Sequence, residues 1–255
     1  MQIYDEIPNV LGIIPARGGS KGIRNKNLIR INDSSLIERA AHDCSACERI
    51  THIAVSSDDA RILAESPEGV IQIDRPPQFA TDTSPIDDTF NHALSFLENH
   101  GVDIEIIVWI QPNVPIREEG IIDRVLDRLL RKSDVTGVAT CTLLDSRLYW
   151  TKVIDDNGGL QPLISDIQDC RRQDLSQLVL LDGAVTAFFV KNLEQRKSGI
   201  HTYLGDRPIG IPQAKKIYSL ELDHQVDLIE LEKYLADSGQ SLTMFEGCDN
   251  GNYTG

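Results

Sequence analysis

The sequence predicts an α/β fold, a mostly parallel sheet with helices on both faces. Three observations carry this expectation. Short β-branched runs alternate with amphipathic segments through the first half of the 255-residue chain, the pattern of successive strand–helix–strand units. The first apolar run, Val10 to Ile14, feeds a Gly-rich, positively charged turn. Ile121, Ile122, Val125, Leu126, Leu129 and Leu130 fall on one stripe with charges opposite, the mark of a helix with one buried face. Ligands of such sheets bind beyond the carboxyl ends of the strands, so the loops after the strands are where chemistry is expected.

In chain order, strands are expected over 10–15, 52–56, 70–73, 104–110 and 135–141, each a short apolar or β-branched run. Between them, 36–47, 59–65, 86–99 and 117–131 read as helices. The pattern changes after about Asp145, where the turn-rich Asp155-Asp-Asn-Gly-Gly159 and a polar stretch from Ser165 to Gln177 separate less regular strands. This region, 145–178, reads as an insertion that covers the site or mediates oligomerisation. A core strand resumes at 180–190, another is expected at 216–222, and a helix at 225–236 closes the pattern. With no internal repeat and no obvious linker, residues 1–255 read as one domain carrying that insertion.

Composition narrows the function. A net charge of −14 argues against nucleic-acid and anionic-membrane partners, which require a basic face. No apolar stretch approaches a bilayer span; Leu178 to Val190 is the longest, and Asp182 interrupts it. The N-terminus, Met1-Gln-Ile-Tyr-Asp-Glu, lacks the apolar core of a secretory signal. Five scattered cysteines fit a reducing, cytoplasmic compartment. Cys44-x-x-Cys47 has no second ligand pair nearby, which disfavours zinc. No Gly-x-Ser-x-Gly is present, and the six histidines lie in unremarkable contexts.

Against this acidic background, Arg17, Lys21, Arg24 and Lys26 are concentrated in one loop with Gly18, Gly19 and Gly22. Such a turn can set backbone N–H groups and fixed cations against a polyphosphate. It matches neither a Walker loop, since the order is Lys21-Gly22, nor a dinucleotide fingerprint, since only Gly19-x-x-Gly22 is present. Further along, Asp74-Arg-Pro-Pro-Gln-Phe-Ala-Thr-Asp-Thr-Ser84 follows one strand and precedes a helix. Arg75 can meet a base or phosphate there, whereas Asp82 or Ser84 is equally explained as a helix cap. In Gln111-Pro-Asn-Val-Pro-Ile-Arg117 two prolines stiffen the loop after a strand and orient Gln111 and Arg117 at the ligand edge. Glu221-Leu-Asp223 is expected to close a strand. Residues two apart would then share a face and present two hard oxygen donors to one Mg²⁺. The competing reading leaves Asp223 as a helix cap.

The order of these segments resembles that of the sugar-acid cytidylyltransferases, specifically the CMP-N-acylneuraminate (CMP-sialic acid) synthetase branch. The resemblance rests on Ile14-Pro-Ala-Arg-Gly-Gly-Ser-Lys-Gly-Ile-Arg-Asn-Lys-Asn-Leu28. It continues through Arg75-Pro, Asp82-Thr-Ser84, Gln111-Pro-x-x-Pro-x-Arg117, Arg172-Gln173, Asp182-Gly-Ala-Val185 and Glu221-Leu-Asp223. It implies a Rossmann-like nucleotidyltransferase fold and a homodimer in which the 145–178 element helps cover the partner's site. The implied reaction is attack of a sugar-acid anomeric hydroxyl on the α-phosphorus of CTP, releasing pyrophosphate, with Mg²⁺ as cofactor. Carried over by position, Arg17 and Lys21 are the catalytic cations. Ala16, Gly18, Gly19, Ser20, Lys26, Asn27, Arg75, Asp82, Thr83 and Ser84 join Arg17 around the nucleotide. Gln111 and Arg172 meet the sugar acid, and Glu221 and Asp223 hold the metal. The chain departs from the branch in having Glu221 where an aspartate is usual. It also has Leu180-Leu-Asp-Gly-Ala-Val-Thr186 where an arginine and then Asn-Gly-Ala-Ile-Tyr are usual. These departures leave the acceptor open between sialic acid, another nonulosonic acid and a different activated sugar. A related transferase using another nucleotide or a sugar phosphate, or a non-catalytic nucleotide-sugar binder, is the alternative.

Overall fold

The computed structural model describes residues 8–20, 22–131, 134–164, 171–194 and 199–244. Seven strands form the main sheet: β1 (Val10–Pro15), β2 (His52–Ser57), β3 (Ile71–Asp74), β4 (Ile106–Trp109), β5 (Gly137–Leu144), β6 (Leu178–Phe189) and β7 (Pro208–Pro212). Their spatial order is β7-β5-β6-β4-β1-β2-β3. All neighbouring pairs are parallel except those made by β6, which runs antiparallel to both β4 and β5. The mostly parallel Rossmann-like sheet is therefore present, with one reversed strand near its middle.

Three longer helices pack on it, α1 (Leu36–Ser45), α2 (Ile86–Glu98) and α3 (Ile121–Arg131), and a fourth, α4 (Gln225–Asp237), packs on the segment after the Gly-rich loop instead. Alternation within β1 sends Val10 and Ile14 into a core with α1 and α3, and Leu11 and Ile13 into a second core with α2. Burial on both faces explains why β1 reads as a continuous apolar run. The α3 stripe seats Ile121, Ile122, Val125, Leu126 and Leu129 in the first core, as its periodicity predicts. A third core joins α4, through Leu228, Leu231 and Leu235, to Ile23, Ile29 and Ile31 after the Gly-rich loop. That core brings the 220s segment beside the loop.

One expectation fails. Residues 216–222 do not form a strand: Lys216–Ser219 is a 3-10 turn, and Leu220 and Leu222 are buried in the third core without a strand neighbour. The sheet edge is instead β7, whose Pro208 and Pro212 obscure it in sequence. Proline lacks the N–H a central strand needs, so an edge suits it. Within 145–178 the described residues form the 3-10 helix Ser146–Trp150 and a hairpin pairing Lys152–Ile154 with Leu160–Pro162. Asp155 closes the hairpin turn by accepting from the N–H groups of Asn157 and Gly159.

Candidate active site

The carboxyl ends of β1, β3 and β4 open onto one cleft of about 570 Å³, where a parallel sheet is expected to bind its ligand. Ala16, Arg17, Ser20, Lys26, Asn27, Arg75, Asp82, Ser84, Gln111, Glu221 and Asp223 all line it. Segments far apart in sequence thus meet around one volume. Gly18, Gly19 and Thr83 belong to the flanking loops and are not in the wall. Lys21 and the side chain of Arg172 fall outside the described residues.

Each wall segment is fixed by identifiable contacts. Ala16 N–H donates to Ser56 O at 3.0 Å, tying the loop to β2. The Gly18 N–H is given to Asp58 Oδ1 at 3.0 Å. Asn27, itself buried, donates through Nδ2 to Arg17 O at 3.1 Å, so it sets the backbone from which Arg17 projects. A Cβ on Gly22 would lie 1.9 Å from Asp223 O; only glycine allows the cationic loop and the acidic segment to approach this closely.

Two cations of the cleft are already paired with carboxylates. Arg17 bonds Asp82, and Lys26 Nζ donates to Asp223 Oδ1 at 2.6 Å. Arg75 is only 5% exposed; its Nη1 donates to Thr89 Oγ1 at 2.8 Å while its Nε has no partner. Burial holds its pKa below the usual arginine value, partly opposed by Asp58. Neither Asp82 nor Ser84 caps α2. Its N-cap is Pro85 without a side-chain bond, and Ser84 Oγ instead accepts from Thr81 N–H and donates to Gln78 O.

Glu221 and Asp223 do reach one cleft, but not by strand alternation. A tight turn, Asp223 N–H to Glu221 O at 3.1 Å, carries them there. Asp223 is no side-chain cap either; Asp227 Oδ2 fills that role, accepting from the N–H groups of Asp223 and His224. Burial, then the nearby charges of Asp223 and Asp182, push the Glu221 carboxyl up to about 7, with Lys26 opposing. A half-buried carboxylate crowded by like charges is relieved by a cation, and these hard oxygens fit Mg²⁺. No group of three or more His, Cys, Asp or Glu is arranged for a metal among the described residues. Two protein carboxylates with waters and ligand phosphates are how Mg²⁺ is commonly held.

Arg117 departs from expectation. Its guanidinium turns away from the cleft and into the protein, bonding Asp43, Ala184 O and Gln111 O. Conversely, Phe79, Ile86, Thr89, Trp109, Asn113 and His224 line the cleft, and sequence reasoning missed them. Asn113 links two walls: its carbonyl accepts from Leu222 N–H at 2.8 Å, and its Nδ2 donates to Asp223 Oδ1 at 3.4 Å. Their position at and just after the end of β4 is the one sequence signal for Trp109 and Asn113; His224 carries none.

Cys44 and Cys47 are both buried free thiols, held protonated by burial at about 12 and about 11. That is inert core chemistry.

A cytidylyltransferase family model matches residues 11–155. The chain is similar to an N-acylneuraminate cytidylyltransferase of Streptococcus agalactiae, 26% identical over 234 residues, covering 88% of this chain and 52% of that protein. It is also similar to the CMP-N,N'-diacetyllegionaminic acid synthase of Legionella pneumophila, 26% identical over 195 residues, covering 74% and 82%. Among solved structures, that of CMP:2-keto-3-deoxy-manno-octonic acid synthetase complexed with CTP superposes with a TM-score of 0.65 at 15% identity, covering 90% of this chain and 99% of that one. The chain spans about half the length of the Streptococcus relative, and its match covers 25% of an Escherichia coli N-acylneuraminate cytidylyltransferase. The matched residues contain β1, the Gly-rich loop, Arg75 and Gln111. They supply most of the cleft wall, and on that ground the chain belongs to the cytidylyltransferase family.

Proposed function

We propose that this protein transfers CMP from CTP to a sugar acid of the nonulosonic or related class, with release of pyrophosphate. The observation that carries the reading is the meeting of Arg17, Lys26 and Arg75 with Glu221 and Asp223 around one cleft, in a chain of this family. The cations suit the triphosphate, and the paired carboxylates suit its metal. Equal identity, 26%, to the N-acylneuraminate and diacetyllegionaminic acid enzymes does not choose the acceptor. Neither Leu180 nor Thr186 lines the cleft, so the departures at those positions lie outside the described wall.

Phosphoryl transfer asks the protein mainly to align nucleophile and phosphorus and to stabilise charge. Arg17 lies where it can stabilise the developing phosphate charge once Asp82 releases it. Lys21, four residues on in the sequence, is assigned the same role. Lys26, paired with Asp223 in the structure, is assigned to the phosphates, and Asn27 keeps Arg17 in place. Ser20, Asp82 and Ser84, which line the cleft, are assigned to the nucleotide, with Gly18, Gly19 and Thr83 in the flanking loops. Gln111 is assigned to the acceptor hydroxyls and Arg172 to its carboxylate, where a guanidinium fork suits two oxygens. Glu221 and Asp223 would hold Mg²⁺, which neutralises phosphate charge and lowers the pKa of the attacking hydroxyl.

The test is pyrophosphate release across the four nucleoside triphosphates and a panel of acids: N-acetylneuraminate, N,N'-diacetyllegionaminate and 3-deoxy-manno-octulosonate. Turnover is expected with CTP and one of these acids, and chelation of Mg²⁺ should abolish it. No turnover with any acid, or turnover untouched by chelation, would overturn the reading or its metal.

A homodimer belongs to the same proposal. Trp150, Val153, Ile154, Leu160, Val179 and Leu180 are all exposed on the 3-10 helix, the hairpin and β6, and large apolar side chains left in the open at this density support an interface.

A further inference from the structure

We propose that Arg117 is a positioning residue for the acceptor end of the cleft, fixing the backbone from which Gln111 projects. The inference rests on the cytidylyltransferase reading, since it names what Gln111 is positioned for. The Arg117 side chain is 2% exposed. Each of its three nitrogens donates to a different element. One Nη donates to the Gln111 carbonyl, Nε donates to Ala184 O at 3.1 Å, and the other Nη donates to Asp43 Oδ2 at 3.0 Å. Asp43 lies on α1, the Gln111 carbonyl follows β4, and Ala184 lies within β6.

The Ala184 contact is what ties this to the cleft. Between Leu181 and Thr186 the register of β6 against β5 shifts, and the irregular turn there contains Gly183 with φ +67°. A Cβ on Gly183 would lie 2.4 Å from Gln111 Nε2, so the Gln111 amide packs directly on that turn. One guanidinium therefore grips both the carbonyl of Gln111 and the strand turn its amide rests on. Arg39, on the same helix as Asp43, adds a second hold on the loop by donating to Pro115 O at 3.4 Å. A buried guanidinium is tolerated when it is paired and fully bonded. Lysine carries the charge but lacks the planar fork, and cannot make three bonds in these directions.

The experiment uses the full chain as wild type, R117K, Q111A, the R117K/Q111A double variant and D43N. Pyrophosphate release is measured with CTP·Mg²⁺ against whichever acid of the panel the wild type turns over. In R117K the KM for the acid should rise about tenfold or more, within the roughly 10²-fold that a 1 Å misplacement costs. The KM for CTP should stay within about twofold. In the Q111A background R117K should add little, because the amide it positions is gone; residues acting through one another are non-additive. D43N, which frees only one donor, should move the acid KM in the same direction by less, and it serves if R117K does not fold. An unmoved acid KM in folded R117K or D43N, equal rises for acid and CTP, or full additivity with Q111A would overturn the inference. If the wild type turns over no acid, the cytidylyltransferase reading falls and this inference with it; wild-type turnover with an unmoved acid KM defeats the inference alone.

Discussion

Arg17 and Lys26 sit in the cleft with carboxylates already bound to them, Asp82 and Asp223 respectively. Both pairs are partly exposed, and such pairs contribute little to stability. Exchanging them for phosphate and metal therefore costs little. Arg17→Ala should lower kcat/KM by about 10²- to 10³-fold, the range for removing one charge-stabilising donor, with the melting temperature nearly unchanged; pyrophosphate-release kinetics and a thermal melt check both. Gly183→Ala faces a different penalty. Its φ of +67° should cost about 1–2 kcal/mol, and the Gln111 amide, 2.4 Å from the added Cβ, adds a clash to that. The KM for the acid should rise as Gln111 is displaced. Denaturant unfolding reads the first effect and steady-state kinetics the second; unchanged stability would contradict the strained backbone.

Single elements obey local rules where those rules are complete. Helix α1 opens with a capping box, Ser35 Oγ accepting from Glu38 N–H at 3.1 Å and Glu38 Oε2 accepting from Ser35 N–H at 2.7 Å. Ser35→Ala should cost about 1 kcal/mol, seen as a lower urea midpoint with an unchanged slope. Because α1 also carries Asp43, this variant should leave the Arg117 contacts in place and the acid KM unmoved. The 216–222 segment shows where local rules fail. Its apolar residues read as a strand, yet no strand pairs with it, and its apolar side chains pack against α4 and Ile116. Alternation reports two faces of different polarity; hydrogen-bonded neighbours come only from the fold.

At the scale of the whole molecule, the strand order places the carboxyl ends of β1, β3 and β4 together, and the third core swings the 220s segment over to meet them. The apolar surface on the 152–162 hairpin and β6 belongs to this scale as well. Trp150→Glu combined with Ile154→Asp should convert a dimer into a monomer in sedimentation analysis while leaving the core, which neither residue joins, intact. A dimer that survives both changes would remove this surface from the interface. Among the described residues no helix is long and apolar enough to cross a membrane, in line with the absence of any long apolar stretch in the sequence.

The contiguous features were legible without a structure. The Gly-rich loop, β1, the α3 stripe and the candidates Arg17, Lys26, Arg75 and Gln111 are readable, since each rests on residues adjacent in sequence or on a period of 2 or 3.6, whereas Glu221 and Asp223 are paired in the sequence by a strand alternation that the structure replaces with a turn. What the tertiary structure alone decided was direction and company. It turned Arg117 inward, brought Trp109, Asn113 and His224 into the wall, and replaced the 216–222 strand with a turn. The reason is physical: periodicity fixes which face of an element a residue occupies, but which elements face one another depends on contacts between segments far apart in the chain.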